Sequence, residues 1–241
     1  LINWNECIKK LHTSNEGKDN QSKSFRRIVF DELCANFLTL SKNRERIRIN
    51  KSPKIFSNNN SRLIKKNLPF KLTNDQEKVL NEINLDLLSC KRMFRIIQGD
   101  VGSGKTIVSI LSILNVIKSG YQCALMSPTE ILARQHFTLI KEIFKKEDFD
   151  IEFLTGKTEY KLKKIILTNL TSGKIKLLIG THALFQKKIN FHKLGLVVID
   201  EQHKFGVKQR SDLAKKGGNE CDVLLMSATP IPRTMMMSLY G

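Results

Sequence analysis

The sequence of 241 residues has few prolines, few aromatic side chains and no long run of apolar residues. No apolar stretch reaches the roughly 18–20 residues that a membrane-spanning helix requires, and no signal-peptide pattern opens the chain. The 5 prolines and 13 glycines are far too few for a collagen-like chain. These shortages exclude the membrane, collagen-like and secreted mini-protein classes.

Cysteine is also scarce, and its pattern argues against a disulfide framework or a zinc site. The cysteines lie far apart, with no CxxC pair and no histidine at metal-ligand spacing, at Cys7, Cys34, Cys90, Cys123 and Cys221. An odd number of scattered cysteines favours buried, reduced thiols. We therefore expect a cytoplasmic protein.

Acidic residues are outnumbered, because 23 Asp and Glu face 41 Lys and Arg and leave a formal net charge of +18. Half of this excess lies in the first 70 residues, where 15 basic and 6 acidic side chains leave +9. A strong positive charge indicates a polyanionic partner such as a nucleic acid. The alternative, a lysine-rich composition that reflects AT-rich coding, stays open on charge alone.

The first part of the chain differs from the rest in its pattern of polar and apolar residues. An amphipathic helix is predicted over Arg27–Leu40, between a polar start and a basic, asparagine-rich connector over residues 41–66. We predict that residues 1–66 are a linker and helix remnant of an upstream domain, and that residues 67–241 form the folded domain. Since the chain opens at Leu1 rather than Met, we expect it to be an internal piece of a longer polypeptide.

From residue 72 onward, short apolar runs alternate with amphipathic segments. Strands are predicted over Phe94–Gln98, Gln122–Met126, Ile151–Leu154, Lys176–Ile179, Leu196–Ile199 and Val223–Met226. Helices are predicted over Asp75–Leu88, Lys105–Lys118, Ile131–Lys145, Glu159–Leu170 and Val207–Lys215. This alternation predicts an α/β domain with a mostly parallel sheet and helices on both faces.

One glycine-rich segment matches the phosphate-binding pattern GxxxxGK[ST] and lies between a predicted strand and a predicted helix. The segment reads Gly99, Asp100, Val101, Gly102, Ser103, Gly104, Lys105 and Thr106. Glycines let successive backbone N–H groups turn toward phosphate oxygens, and the following helix directs its positive end to the same place. Lys105 can then bind the β- and γ-phosphates, and the Thr106 hydroxyl can be a Mg²⁺ ligand.

A second apolar strand, Leu196–Ile199, runs directly into Asp200 and Glu201. Ligands of an open parallel sheet bind beyond the carboxyl ends of its strands. Asp200 can therefore hold the metal ion, and Glu201 can orient and deprotonate the attacking water. We expect the two motifs to lie on neighbouring strand tips and to face one nucleoside triphosphate. A solvated strand end or a helix N-cap is the alternative for the acidic pair.

Four ordered segments resemble the motifs of superfamily 2 helicases, and most closely those of bacterial ATP-dependent DNA helicases that act on branched DNA. They begin at Ser127, Gly180, Asp200 and Ser227 and read SPTEILA, GTHAL, DEQH and SATPIPRT. The resemblance implies a RecA-like first motor lobe that uses ATP and Mg²⁺. It also implies a cytoplasmic bacterial protein that is associated with the nucleoid. It also implies branched duplex DNA as partner, with a second RecA-like lobe and an upstream wedge domain outside this chain.

The same resemblance implies roles for single residues. Gln76 matches a glutamine that reads adenine, although Thr73 and Gln76 also fit a capping box at a helix start. His203 is implied to couple the γ-phosphate to the Ser227 segment and is counted with Lys105, Asp200 and Glu201 as catalytic. The residues implied to couple hydrolysis to movement are Gln202, Ser227, Ala228 and Thr229.

Further residues follow strands and open helices, where backbone N–H groups and hydroxyls can hold DNA phosphates without reading sequence. They are Ser127, Pro128, Thr129, Gly156, Thr181 and His182. Ordinary helix caps are the alternative for each of them.

Three other functions remain open from the residues. The first is a transcription-repair coupling translocase, which resembles this chain over the motor but usually has Glu where Gln202 stands. The second is an NTP-dependent clamp that holds DNA without turnover. The third, a small-molecule kinase with a phosphate loop, would leave the segments at Ser127, Gly180 and Ser227 without a role.

Overall fold

The structure, a computed structural model, describes residues 2–13, 22–47, 50–56, 68, 70–186, 188–201 and 216–228. The described residues fall into two compact units, one that contains residues 2–13 and 22–47 and one that lies within residues 49–230. Within the described ranges, no helix combines the length and the apolar character needed to cross a bilayer.

The first unit contains helices α1 (Trp4–Thr13) and α2 (Lys23–Ile47), which contact each other. The sequence predicts α2 only over its middle and misses α1. Apolar side chains at Trp4, Cys7, Ile8 and Leu11 do have helical spacing, and Cys7 is buried. The stripe is short and is interrupted by polar residues, so the sequence pattern does not indicate a helix here.

The second unit is built on one parallel sheet of six strands in the order β1-β6-β5-β2-β4-β3. The strands are β1 (Phe94–Gln98), β2 (Gln122–Met126), β3 (Asp150–Leu154), β4 (Ile175–Gly180), β5 (Leu194–Ile199) and β6 (Asp222–Ser227). All five strand pairings are parallel, which confirms the predicted sheet. Every predicted strand lies within two residues of the observed bounds.

Four described helices connect or flank these strands: α3 (Asn74–Leu88), α4 (Lys105–Lys118), α5 (Glu130–Ile143) and α6 (Tyr160–Thr171). The chain crosses the sheet in one direction through α4 and α5 and in the other through α6. Since such crossovers are right-handed, α4 and α5 cover one face and α6 the other. The predicted helix Val207–Lys215 lies outside the described residues.

Helix α4 is buried from Ile107 to Ile117, against β2, β5 and α3. A helix with so many apolar side chains needs such burial, because their exposure would cost about 25 cal/mol per Å² of apolar surface. Its first turn, at the end of the glycine segment, is therefore held in place by the core.

Strand order corrects one expectation about the site. β6 lies between β1 and β5. The glycine segment and the acidic pair therefore follow two strands that are separated by a third strand, and they are not on neighbouring tips. Two strand spacings separate those tips by about 10 Å.

The amino-terminal end of the sheet carries a buried ionic cluster, formed by Lys51, Lys54 and Asp222. Both ammonium groups lie 2.7 Å from Asp222 Oδ2, and all three side chains are fully buried. Asp222 Oδ1 also accepts the Met93 N–H at 2.6 Å. Lys51 and Lys54 belong to the stretch predicted as an irregular connector, but they contact the sheet within the second unit.

The prediction of buried thiols holds for three of the cysteines. Cys7, Cys123 and Cys221 are buried, whereas Cys90 is exposed and Cys34 is intermediate. Burial raises the pKa of Cys221 to about 12 and that of Cys123 well above its usual value. Both groups therefore stay protonated thiols at neutral pH.

Candidate functional site

The glycine segment leaves β1 and turns sharply into α4. Gly102 and Gly104 both have φ of +82°, in the left-handed region that favours glycine. The segment curls around the Lys105 ammonium, which donates to the carbonyl oxygens of Gly99 at 2.5 Å and Asp100 at 2.7 Å. Val101 stands exposed at the tip. This loop brings a cation and the N-terminal amides of α4 to one place, as binding of phosphate requires.

Gln76 closes the other side of this loop. Its side-chain carbonyl accepts the Thr73 N–H at 3.0 Å, while the Thr73 hydroxyl accepts the Gln76 N–H at 3.2 Å. The capping box is therefore present at the start of α3. The Gln76 amide also donates to the Ser103 carbonyl at 2.9 Å, and a Cβ on Gly104 would overlap that amide. Its contact with adenine stays a prediction.

The acidic pair begins where β5 ends. The Asp200 N–H donates to the Met126 carbonyl at 2.8 Å, which joins the tips of β5 and β2. Asp200 Oδ1 accepts the Glu201 N–H at 2.9 Å, and Oδ2 lies 2.8 Å from His136 Nε2. Glu201 has φ of +48°, an uncommon conformation for a residue with a Cβ. Such strain often marks functional positions.

His136 is a neighbour of the acidic pair that sequence reasoning misses. It lies on the buried side of α5 with Ala133 and Ile140, at spacings of three and four residues. That pattern reads as an ordinary apolar stripe, and only the strand order brings the imidazole to Asp200. The signal that could have identified it is a polar side chain on an otherwise apolar helix face.

The tip of β6 lies between the tip of β1, where the glycine segment begins, and the tip of β5, where the acidic pair begins. The Gly99 N–H donates to the Ser227 carbonyl at 3.3 Å, so the glycine segment starts in contact with the end of β6. Ser227 is buried and Ala228 is half-buried. The predicted residues Gln202, His203 and Thr229 lie outside the described residues.

The residues predicted to contact DNA follow β2, β3 and β4, which form the other half of the sheet. Thr129, Gly156 and His182 are exposed, and Pro128 is half-buried. Ser127 is fully buried with a hydroxyl that has no partner among the described residues, and Thr181 is 4% exposed.

Two contacts bear on the helix-cap alternative for this group. The Thr129 hydroxyl caps α5 by accepting the Leu132 N–H at 3.3 Å. The Ser127 N–H donates to the Gly180 carbonyl at 3.0 Å, which joins the turns after β2 and β4. A cap is thus present for Thr129, whose exposure still leaves it accessible to a phosphate. The DNA contacts themselves stay predictions.

The chemistry of the donors fits Mg²⁺ better than a transition metal. Among the described residues, no group of three or more His, Cys, Asp or Glu could hold a metal ion. Thr106 and Asp200 instead offer hydroxyl and carboxylate oxygens. Mg²⁺ uses few protein oxygens, keeps several waters and takes phosphate oxygens from its substrate. The oriented Asp200 carboxylate suits that role.

A family model described as DEAD/DEAH box helicase matches residues 73–237. The chain is 46% identical to the ATP-dependent DNA helicase RecG of Aquifex aeolicus (strain VF5), over 98% of this chain and 31% of that protein. It is 43% identical to RecG of Bacillus subtilis (strain 168), over 100% of this chain and 35% of that protein. The chain thus spans about a third of the length of these curated relatives.

A solved structure described as RecG bound to a three-way DNA junction has the same fold. Its TM-score is 0.79 at 41% identity, and the match covers 91% of this chain and 30% of that one. The resemblance to bacterial ATP-dependent DNA helicases and the RecA-like α/β fold are confirmed. The translocase, clamp and kinase alternatives are not favoured.

Proposed function

The chain belongs to the DEAD/DEAH box helicase family, and on that premise we propose that it is the ATP-binding motor lobe of a bacterial helicase that remodels branched DNA. Identity to RecG proteins over nearly the whole chain, together with the match to a RecG structure bound to a three-way DNA junction, supports this choice of substrate. The observation that carries the proposal is the single sheet edge on which a phosphate loop, an acidic pair and three polar turns lie side by side, with Thr129, Gly156 and His182 exposed in those turns.

Each half of that edge has its own task. The loop from Gly99 to Thr106 holds the triphosphate, and Lys105 exchanges its two carbonyl partners for phosphate oxygens when ATP binds. Gln76, beside the same loop, reads adenine once its amide leaves the Ser103 carbonyl. Thr106 and Asp200 hold Mg²⁺, which when bound neutralises charge that develops on the phosphates. Glu201 orients the attacking water and accepts its proton.

Coupling and DNA binding use the neighbouring turns. Gln202, His203 and the turn from Ser227 to Thr229 link the nucleotide to movement of the lobe. The turns that begin at Ser127, Gly156 and Thr181 hold DNA phosphates, so binding is independent of sequence and weakens steeply with salt.

The intact protein supplies what this chain does not contain. We place a second RecA-like lobe after it and a wedge domain that grips the DNA junction before it, with residues 1–66 as the linker. The protein works in the bacterial cytoplasm, at the nucleoid where its DNA lies. Without the second lobe, the chain binds ATP weakly, hydrolyses it slowly and unwinds nothing.

A single substitution in the intact protein tests the enzyme assignment. Glu201→Gln keeps the shape of the side chain but removes the base, so DNA-stimulated phosphate release falls by about 100-fold or more. ATP binding, measured with a fluorescent analogue, stays within about twofold, because the phosphate loop is untouched. Unchanged phosphate release would show that the protein is not this kind of ATPase.

A further inference from the structure

We propose that His136 is a positioning residue, which fixes the Asp200 carboxylate and links it to the helix that follows the first DNA-contact turn. The inference rests on the proposed function, in which Asp200 binds Mg²⁺ and the turn at Thr129 binds a DNA phosphate. It adds to that function a physical connection between the two halves of the sheet edge.

The contact between His136 and Asp200 is short and sheltered. His136 Nε2 lies 2.8 Å from Asp200 Oδ2, and the two side chains are 11% and 13% exposed. An ionised carboxylate accepts hydrogen bonds only, so Nε2 carries the hydrogen. A contact screened from water in this way is stronger than the same contact on the surface.

Both oxygens of the Asp200 carboxylate are held by groups of this chain. Oδ2 contacts the imidazole and Oδ1 accepts the Glu201 N–H at 2.9 Å, while each oxygen keeps a lone pair for a metal ion or its water. Two fixed donors remove the rotational freedom of the carboxylate. Groups that orient a metal ligand in this way are typically worth 10- to 100-fold in metal affinity or activity.

The imidazole belongs to a different part of the edge from the carboxylate. His136 lies on α5, seven residues after the N-cap Thr129, or about 10 Å along the helix axis. The Asp200 N–H is bonded to Met126, the last residue of β2, which leads into the same turn. A shift of α5 when DNA binds near Thr129 therefore moves the donor to Asp200 Oδ2, and DNA and nucleotide sense each other through His136.

Two substitutions that differ by one methylene test this link in the intact protein. His136→Gln carries an amide donor that reaches the position of Nε2, whereas the amide of His136→Asn stops at the position of Nδ1. Ile140→Val is the matched control, because it loosens the same buried face of α5 without touching Asp200. Thermal unfolding of all variants confirms that they are compared in the folded state.

Two readouts are measured for each variant. The first is Mn²⁺ affinity in the presence of a non-hydrolysable ATP analogue, read from the electron paramagnetic resonance signal of free Mn²⁺. The second is the kcat and KM for ATP with and without a branched DNA. We expect His136→Asn to weaken Mn²⁺ binding about tenfold and to lower DNA-stimulated kcat about tenfold, with KM for ATP unchanged. His136→Gln and Ile140→Val stay within about threefold of the wild type.

Wild-type Mn²⁺ affinity in folded His136→Asn would overturn the inference. So would equal losses in the Asn, Gln and Val variants, since a role only in packing does not depend on the reach of a donor. If the wild-type protein shows no DNA-stimulated ATPase at all, the proposed function fails, and the Mn²⁺ affinities still decide whether His136 positions Asp200.

Discussion

The two ends of the sheet are held together in opposite ways. At the carboxyl-terminal end, the strands run into exposed turns with left-handed glycines and a strained Glu201. At the amino-terminal end, the ionic cluster of Lys51, Lys54 and Asp222 is sealed from solvent. Burial lowers the pKa of Lys51, although its contact with Asp222 opposes the shift. One end is open for ligands, and the other secures an upstream segment to the lobe.

Function and stability are thus assigned to different ends of the sheet. Removing water from two ammonium groups is costly, so the cluster is stable only while its carboxylate is in place. The glycine segment at the opposite end, residues 99–106, contains no buried residue, and substitutions there should alter ligand binding more than unfolding. Variants at both ends test this division.

We expect the largest effect from Asp222→Asn, which removes the charge of the carboxylate that both buried ammonium groups contact. The free energy of unfolding, measured by urea denaturation, should fall by about 3–5 kcal/mol. Asp150→Asn is the matched control, because Asp150 also opens a strand but is exposed and lies 3.8 Å from Lys174. The control should change by less than about 0.5 kcal/mol. Equal effects at the two positions would remove the contrast between the ends.

The next largest effect is expected at the opposite end from Lys105→Ala. Loss of the ammonium should reduce DNA-stimulated ATP hydrolysis by about 100- to 1,000-fold, because a preorganised charge at the phosphates is lost. The free energy of unfolding should change by less than about 1 kcal/mol, since the contacts of Lys105 among the described residues are with two backbone carbonyls. A large loss of stability instead would show that the loop supports the fold.

The smallest effects are expected at Gln76, which both caps helix α3 and contacts the phosphate loop. Gln76→Ala and Thr73→Ala each break the capping box and should cost about 1 kcal/mol of stability. Only Gln76→Ala also removes the amide that is proposed to read adenine, so it alone should weaken ATP binding, by about threefold to tenfold. Isothermal titration with ATP separates the two variants. Equal ATP affinities would limit Gln76 to its helix cap.

The same contrast explains what the sequence can predict. The strands and the phosphate loop are readable because their signals are local, an apolar run or eight consecutive residues. The ionic cluster joins Lys51 to Asp222 across 171 positions, and His136 to Asp200 spans 64. Neither pairing leaves a local pattern, and both depend on strand order. No single segment of the sequence indicates that β6 lies between β1 and β5. The prediction that the glycine segment and the acidic pair lie on neighbouring strand tips was therefore wrong.

The most direct test is a crystal structure of the intact protein with Mg²⁺ and a non-hydrolysable ATP analogue. We expect a triphosphate across the tips of β1, β6 and β5, with Lys105 at the β- and γ-phosphates and the metal ion held between Thr106 and Asp200. A nucleotide bound elsewhere, or a metal ion out of reach of Asp200, would contradict this expectation.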